Sequence, residues 1–271
     1  MMTTARELLR EGKLSAATEL QTQEVKARPA DVNGRIFLFE LLCFGGSLDR
    51  AAKQLDVIGH QSTEMEIGVE VYRQLLSAER SRRAVFREGR SPDFLTTPPD
   101  YVPLHLEALA LERAREPQKA RLLLEKALDL HPQLPGEADG VRFIGFEDSD
   151  LFLSPFLELM VNDKYAWLPF EQIRRMEISR PAQLRDLLWA RARLEARGGD
   201  LGEVFVPVLY PGSADHESEE IRLGRRTDWI EVGAGLARGA GQRLFAIDGG
   251  ERVMLEIAEV VFDSPGQADT S

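Results

Sequence analysis

The chain has 271 residues, enough for one large domain or two modest ones, with the apolar (43%) and charged (29%) shares of an ordinary globular protein. A net charge of −11 argues against non-specific nucleic-acid binding, which needs a basic surface to displace counterions. No stretch approaches the ~18 uncharged apolar residues of a membrane span, and residues 1–10 mix charge with leucine, so no signal peptide is expected.

The first half reads as helices. Thr4 and Glu7 form a capping box that opens a first helix with Leu8 and Leu9 on its inner face. Gly12 breaks it, and Ala16, Ala17, Leu20 and Val25 carry a second helix to Pro29. Asp31 caps a third helix, whose run from Ile36 to Phe44 is apolar almost all round and so is expected to be central. Cys43 lies in that run as a buried small hydrophobe; a lone cysteine makes no internal disulfide and suits a reducing, cytoplasmic setting. After Gly45-Gly46, Ala51, Ala52, Leu55 and Ile58 supply the inner face of a fourth helix. A longer segment with Met65, Val69, Tyr72, Leu75 and Leu76 on one face runs into the arginine-rich stretch 80–90. Residues 91–103, with four prolines, are expected as a loop, and a helix pair over 104–115 and 117–130 closes this half.

One spacing recurs along these helices. Ala120, Ala127 and Pro132 stand in the phase of the second helix of a tetratricopeptide repeat, where small residues admit the partner helix and proline stops the chain. Ala17 and Pro29 repeat the twelve-residue offset, and Gly12–Ala17 and Gly46–Ala51 share a five-residue one, although Thr63 stands where the repeat would have proline. Such stacked pairs present a surface to a partner helix.

From about residue 140 the pattern changes to short strands: Phe156–Val161 and 165–168 around the turn Asn162-Asp163, then 174–178, Trp189–Ala196, 203–209, 228–232, Leu244–Ile247 and 253–260. Gly198-Gly199-Asp200 and Asp248-Gly249-Gly250 supply turns, and Gly233-Ala234-Gly235 a hairpin connection. The expected class is α+β: a tetratricopeptide-like helical domain over 1–135, a β-rich antiparallel domain of small-barrel or sandwich type over 140–263, and a frayed tail over 264–271.

Catalytic patterns are sparse. The four histidines lack zincin spacing, and neither a nucleophile elbow nor a phosphate loop is present. Asp215-His216-Glu217 reads as a solvated loop, and His131 as a last-turn residue suited to the helix dipole. Glu147, Asp148 and Asp150 read as a solvated loop or cap, with a divalent-cation site or a domain-junction enzyme site as the alternative. Arg82, Arg83, Arg87 and Arg90 are neighbours on a helix surface, either a clamp for acidic groups or a face paired with Glu79 and Glu88.

Five segments then occur in order: Leu151-Phe152-Leu153-Ser154-Pro155-Phe156-Leu157-Glu158, Trp167-Leu168-Pro169-Phe170-Glu171-Gln172-Ile173, Leu184-Arg185-Asp186-Leu187-Leu188-Trp189, Val206-Pro207-Val208-Leu209-Tyr210-Pro211-Gly212-Ser213 and Leu223-Gly224-Arg225-Arg226-Thr227-Asp228-Trp229. With the opening Ala5-Arg6-Glu7-Leu8-Leu9, they make nearly the whole chain resemble the ImpE family, also called TagJ or SciE-type proteins, accessory components of bacterial type VI secretion. The resemblance implies a non-enzymatic cytoplasmic protein without cofactor, catalytic residues or metal. Its implied partner is an N-terminal helix of the small contractile-sheath subunit, TssB; a general peptide-binding scaffold is the alternative. Within these segments Arg185-Asp186 reads as a local ion pair. Candidate partner-binding residues on the first helix of each pair are Arg35, Phe39, Leu42, His105, Leu109 and Glu112, joined by Arg82, Arg83 and Arg87; Phe39 and Leu42 also fit a core role.

Overall fold

The computed structural model describes residues 3–60 and 63–264, so the expected tail from residue 265 onward lies outside the described residues. The helices are α1 (Ala5–Arg10), α2 (Leu14–Ala27), α3 (Val32–Phe44), α4 (Leu48–Gly59) and α5 (Thr63–Glu88), followed by strand β1 (Asp93–Phe94), α6 (Val102–Arg113) and α7 (Pro117–Leu128). The capping box forms as expected: Glu7 N–H donates to Thr4 Oγ1 (3.2 Å) and Thr4 N–H to the Glu7 carboxylate (2.7 Å). Asp31 caps α3 by accepting from Gly34 N–H at 3.0 Å.

The five-residue offset has a structural cause. Gly12 (φ 80°), Gly46 (φ 71°) and Arg115 (φ 59°) each turn the chain through the left-handed region between two helices. Each stands five residues before an alanine, Ala17, Ala51 or Ala120, that is fully buried against the neighbouring helix. Glycine takes that conformation without strain and Arg115 does not.

The strands after α7 are β2 (Gly136–Ala138), β3 (Val141–Phe143), β4 (Phe146–Asp148), β5 (Phe156–Val161), β6 (Lys164–Pro169), β7 (Ile173–Ile178), β8 (Trp189–Ala196) and β9 (Gly199–Pro207). A short helix α8 (Glu219–Arg222) precedes β10 (Thr227–Gly233), β11 (Leu236–Gly241), β12 (Leu244–Ile247), β13 (Gly250–Val253) and β14 (Glu259–Phe262). Nine strands form one sheet in the order β1-β6-β5-β9-β8-β7-β14-β2-β3, antiparallel except for the parallel β1–β6 pair. β10–β11 is a separate ribbon, and β13-β12-β4 a small third sheet.

Three expectations change. The segment 91–103 is not all loop: Asp93–Phe94 adds an edge to the sheet and α6 starts at Val102. The expected strand at 253–260 is two strands separated by the turn Met254–Glu256, because the chain leaves the small sheet there, buries Met254 and Ile257, and joins the large one. The expected boundary between the two domains, at 135–140, contains β2, which pairs with both β14 and β3.

Two apolar cores lie on opposite faces of the large sheet. Phe156, Met160, Tyr165 and Trp167 of β5 and β6 pack with residues of α3 to α7. Leu157, Leu159 and Leu168 pack on the other face with Ala5, Leu14, Phe37 and Phe44 from the first three helices. That second core also holds Phe146, Phe170, Phe245 and Phe262, with ring centroids 5.0–5.3 Å from Phe146. Strands buried on both faces read as continuous apolar runs, which explains the sequence Phe156-Leu157-Glu158-Leu159-Met160. Each fully buried leucine or phenylalanine contributes about 1.5–3 kcal/mol. The one charged residue in that run, Glu158, then requires compensation.

Candidate functional site

Compensation comes from a buried ionic network linking α5 to the sheet. Register places Glu158 opposite Trp167, on the sheet face that meets α5. Arg82 of α5 donates to both Glu158 oxygens, from Nε (2.7 Å) and Nη2 (2.9 Å), and also to the Leu209 carbonyl (2.8 Å). Arg243 donates to Glu158 and to Asp148, and Tyr165 donates its hydroxyl to Glu158 while accepting from Trp167 Nε1–H (2.6 Å). The Tyr210 hydroxyl donates to Asp148 (3.0 Å) and accepts from Leu244 N–H (3.1 Å). Asp150 receives Arg238 Nε (2.9 Å) and the Gly239 amide (3.1 Å). Gly239 is required there, since any side chain would collide with the Tyr210 ring.

Three guanidiniums thus face three carboxylates, all of them from residues that are buried except Arg238, whose side chain is 14% exposed, and Glu79 adds a fourth carboxylate 3.6 Å from Arg82 at the edge of the network. Burial alone would raise Glu158, but Arg82 and Arg243 bring it down to about 2. Burial raises Asp148 against the pull of Arg243, and the neighbouring Asp150 adds to the rise. Both Glu158 oxygens are held by several donors, so this acid is set to clamp α5 onto β5 and not to transfer protons.

These positions correct the reading of Asp148 and Asp150 as a solvated loop: both are buried and salt-bridged, and only Glu147 of the three is exposed. Arg82 likewise does not share a solvent face with Arg83 and Arg87, because it points into the core. Arg185 and Asp186 do not pair with each other. Arg185 bonds Glu40 (2.8 Å) and the Tyr72 hydroxyl (2.6 Å), while Asp186 accepts from Ala182 and Gln183 N–H. His131 does not sit in the last turn of α7; it stacks on His105 instead, with the two Nε2 atoms 3.1 Å apart. His216 lies 3.3 Å from Asp228.

The nine candidate contact residues fall into two groups of four, with Arg35 apart from both. Phe39, Leu42, His105 and Leu109 are 0–2% exposed. The helical concavity they line is filled by the protein's own Phe152, Phe156 and Trp167, so these four offer no free surface. Phe39 meets Tyr72 edge-on at 5.8 Å, and His105 packs on Phe156 at 5.1 Å. Arg35 is half-buried and bonds the Pro29 carbonyl (2.9 Å) and Gln54 (3.0 Å). The remaining four, Arg82, Arg83, Arg87 and Glu112, line one cleft of about 220 Å³ between α5, α6 and the β10–β11 ribbon. Its apolar wall is Phe86, Ile230 and Val232, with Ile230 48% exposed. Arg83 bonds the Gly46 carbonyl (2.8 Å) and Arg87 pairs with Asp215.

Sequence reasoning missed Glu158, Arg243 and Tyr210. A glutamate within a run of buried residues was the available signal for the first; partners 76 and 85 residues away carried none.

No described helix is long and apolar enough to cross a membrane, and no group of three or more metal-ligating side chains occurs among the described residues. The sequence model of the family described as "ImpE protein" matches residues 140–261. A crystal structure of a Vibrio parahaemolyticus protein superposes with a TM-score of 0.89 at 23% identity, covering 97% of this chain and 98% of that one, and so shares the fold. The type VI secretion system accessory component TagJ of Pseudomonas aeruginosa is 35% identical over 259 residues, spanning 96% of this chain and 91% of that protein. With identity at that level across almost the full length of both chains, this protein belongs to the ImpE family, the family of TagJ.

Proposed function

We propose that the chain is a non-enzymatic, cytoplasmic accessory protein of a type VI secretion system that binds a helical segment of the small, TssB-like sheath subunit. The observation that carries this reading is the near full-length similarity to TagJ, named an accessory component of that system. The buried charges support a non-catalytic role: they are engaged with one another, and Ser154, a hydroxyl near them in sequence, has no base bonded to it.

Because the inner face of the helices is occupied by strands β5 and β6, the partner helix is assigned to the outer cleft where Arg83, Arg87 and Glu112 meet Phe86, Ile230 and Val232. An amphipathic helix would lay an apolar side chain against Ile230 and set an acidic residue near Arg87. Capture of the purified sheath subunit, intact and lacking its N-terminal helix, tests the reading. Loss of capture on deletion is expected, and a further loss with Ile230→Asp; equal capture of both subunits would count against helix recognition.

A further inference from the structure

A second cavity, of about 270 Å³, lies where the end of α7 meets the small sheet. Its polar lining is Tyr101, His131, Gln133, Glu147, Ser154, Glu171 and Asp248, with apolar Phe146 and Ile144 beside them; neither lysine nor arginine lines it. The hydrogen bonds define what these groups present. His105 Nδ1 lies 3.1 Å from the Phe152 carbonyl, which can only accept, so the proton of this neutral ring is on Nδ1. His105 Nε2 is therefore the acceptor for His131 Nε2–H, which leaves His131 Nδ1 as an unprotonated acceptor.

The carboxylates are similarly under-used. Asp248 Oδ1 accepts from Ile144 N–H (2.9 Å) and Gly145 N–H (2.8 Å), and Oδ2 has no partner among the described residues. Glu147 has neither an ion pair nor a side-chain hydrogen bond there. Glu171 accepts from the Tyr101 hydroxyl, and the nearest cation, Arg197, is spent on backbone carbonyls, including that of Glu171. Ser154 supplies an independent sign of a missing ligand: it is 1% exposed, lines the cavity, and its hydroxyl has no partner. A buried polar atom left unpaired is costly and usually marks an absent partner. Acceptors and carboxylates converging without a counter-charge call for a donor that is positive.

We propose that this cavity receives one organic cation, a guanidinium or primary ammonium group, which places its N–H donors among Glu147, Asp248, Ser154 and His131. A hard metal ion is a poorer match, because no described group of acids and histidines is spaced for coordination. Ile144, 65% exposed at the cavity, offers apolar contact to the stem that carries the charge. The proposal goes beyond sheath binding and does not depend on it: the cation comes either from a basic side chain of a docked protein or from a free small amine.

The test is an NMR titration of the full-length chain with N-acetyl-arginine methylamide, its uncharged isostere N-acetyl-citrulline methylamide, and 1,4-diaminobutane. At least one cation should shift the His131 ring and the Gly145 and Ser154 amide signals saturably, while the citrulline compound leaves them in place. Response to the arginine compound alone identifies a side-chain guanidinium, and response to the diamine identifies a free amine as an acceptable source; either supports the site. Glu147→Gln, which breaks no bond in the fold, should weaken binding about tenfold, the loss expected for one charge-assisted hydrogen bond. Equal shifts from the citrulline and arginine compounds, or no saturable shift from either cation, would overturn the proposal.

Discussion

Replacing Glu158 by glutamine probes the clamp between helix and sheet directly. The side chain is fully buried and accepts from Arg82, Arg243 and Tyr165, so Glu158→Gln keeps the shape but removes the carboxylate that Arg82 and Arg243 share. Removing one member of a buried pair costs about 3–5 kcal/mol, because the remaining charge stays desolvated. The acid's own titration agrees in sign. Its carboxyl is brought from 4.5 to about 2, a shift corresponding to about 3 kcal/mol. Since the folded value lies below the unfolded one, this stability is fully present above about pH 4.5 and is lost as pH falls toward 2.

Equilibrium urea unfolding at pH 7 is the assay, with Glu195→Gln in the exposed Arg174–Glu195 pair (2.8 Å) as control. The control should lose less than about 1 kcal/mol. A cycle with Arg82→Gln should show the two changes to be strongly non-additive. The Glu158→Gln chain should also have a flatter stability profile between pH 5 and pH 2. A loss below about 1 kcal/mol with an unchanged denaturant slope would show that the network does not hold α5 to β5.

Other consequences can be checked in the same preparations. Arg115→Gly should raise stability by up to about 1 kcal/mol in urea unfolding, the left-handed strain at φ 59° outweighing the added freedom of the unfolded chain. Burial lowers His105 to about 3 and His131 to about 4, from 6.5. The unfolded chain therefore takes up protons that the folded chain refuses, and stability should decline as pH falls from 6.5 toward 4; His131→Asn should reduce that slope. Cys43 is buried and its thiol is raised well above the ordinary value, chiefly by burial. It should stay unlabelled by a thiol reagent in the native protein and react only as the chain opens.

Legibility in the sequence followed the range of the interaction. Thr4, Glu7 and Asp31 announce helix starts because their partners are three residues away. Trp189–Ala196 and Leu244–Ile247 were readable to the residue, as long or well-bounded β-type runs between turns. The strands β2, β3 and β4 have three residues each, too few to display a period, and depend on pairing with β14, β2 and β12 respectively. Arg82 looked like its neighbours Arg83 and Arg87 because helix spacing does not report a carboxylate 76 residues on. Phe39 and Leu42 were ambiguous for a related reason. An all-round apolar helix is buried on every side, and only the fold reveals that β5 and β6 occupy the side a partner would need. The cavity carboxylates Glu147, Glu171 and Asp248 come from three separate turns and strands, and no local pattern links them.

The proposed binding of a sheath-subunit helix to the outer cleft of this ImpE-family chain can be measured by calorimetry. Calorimetric titration of the full-length chain with the purified TssB-like subunit, intact and without its N-terminal helix, addresses it most directly. Saturable binding of the intact subunit, abolished by the deletion and weakened at least tenfold by Ile230→Asp, is the predicted result. Binding that survives both changes undiminished would exclude recognition of that helix at the outer cleft.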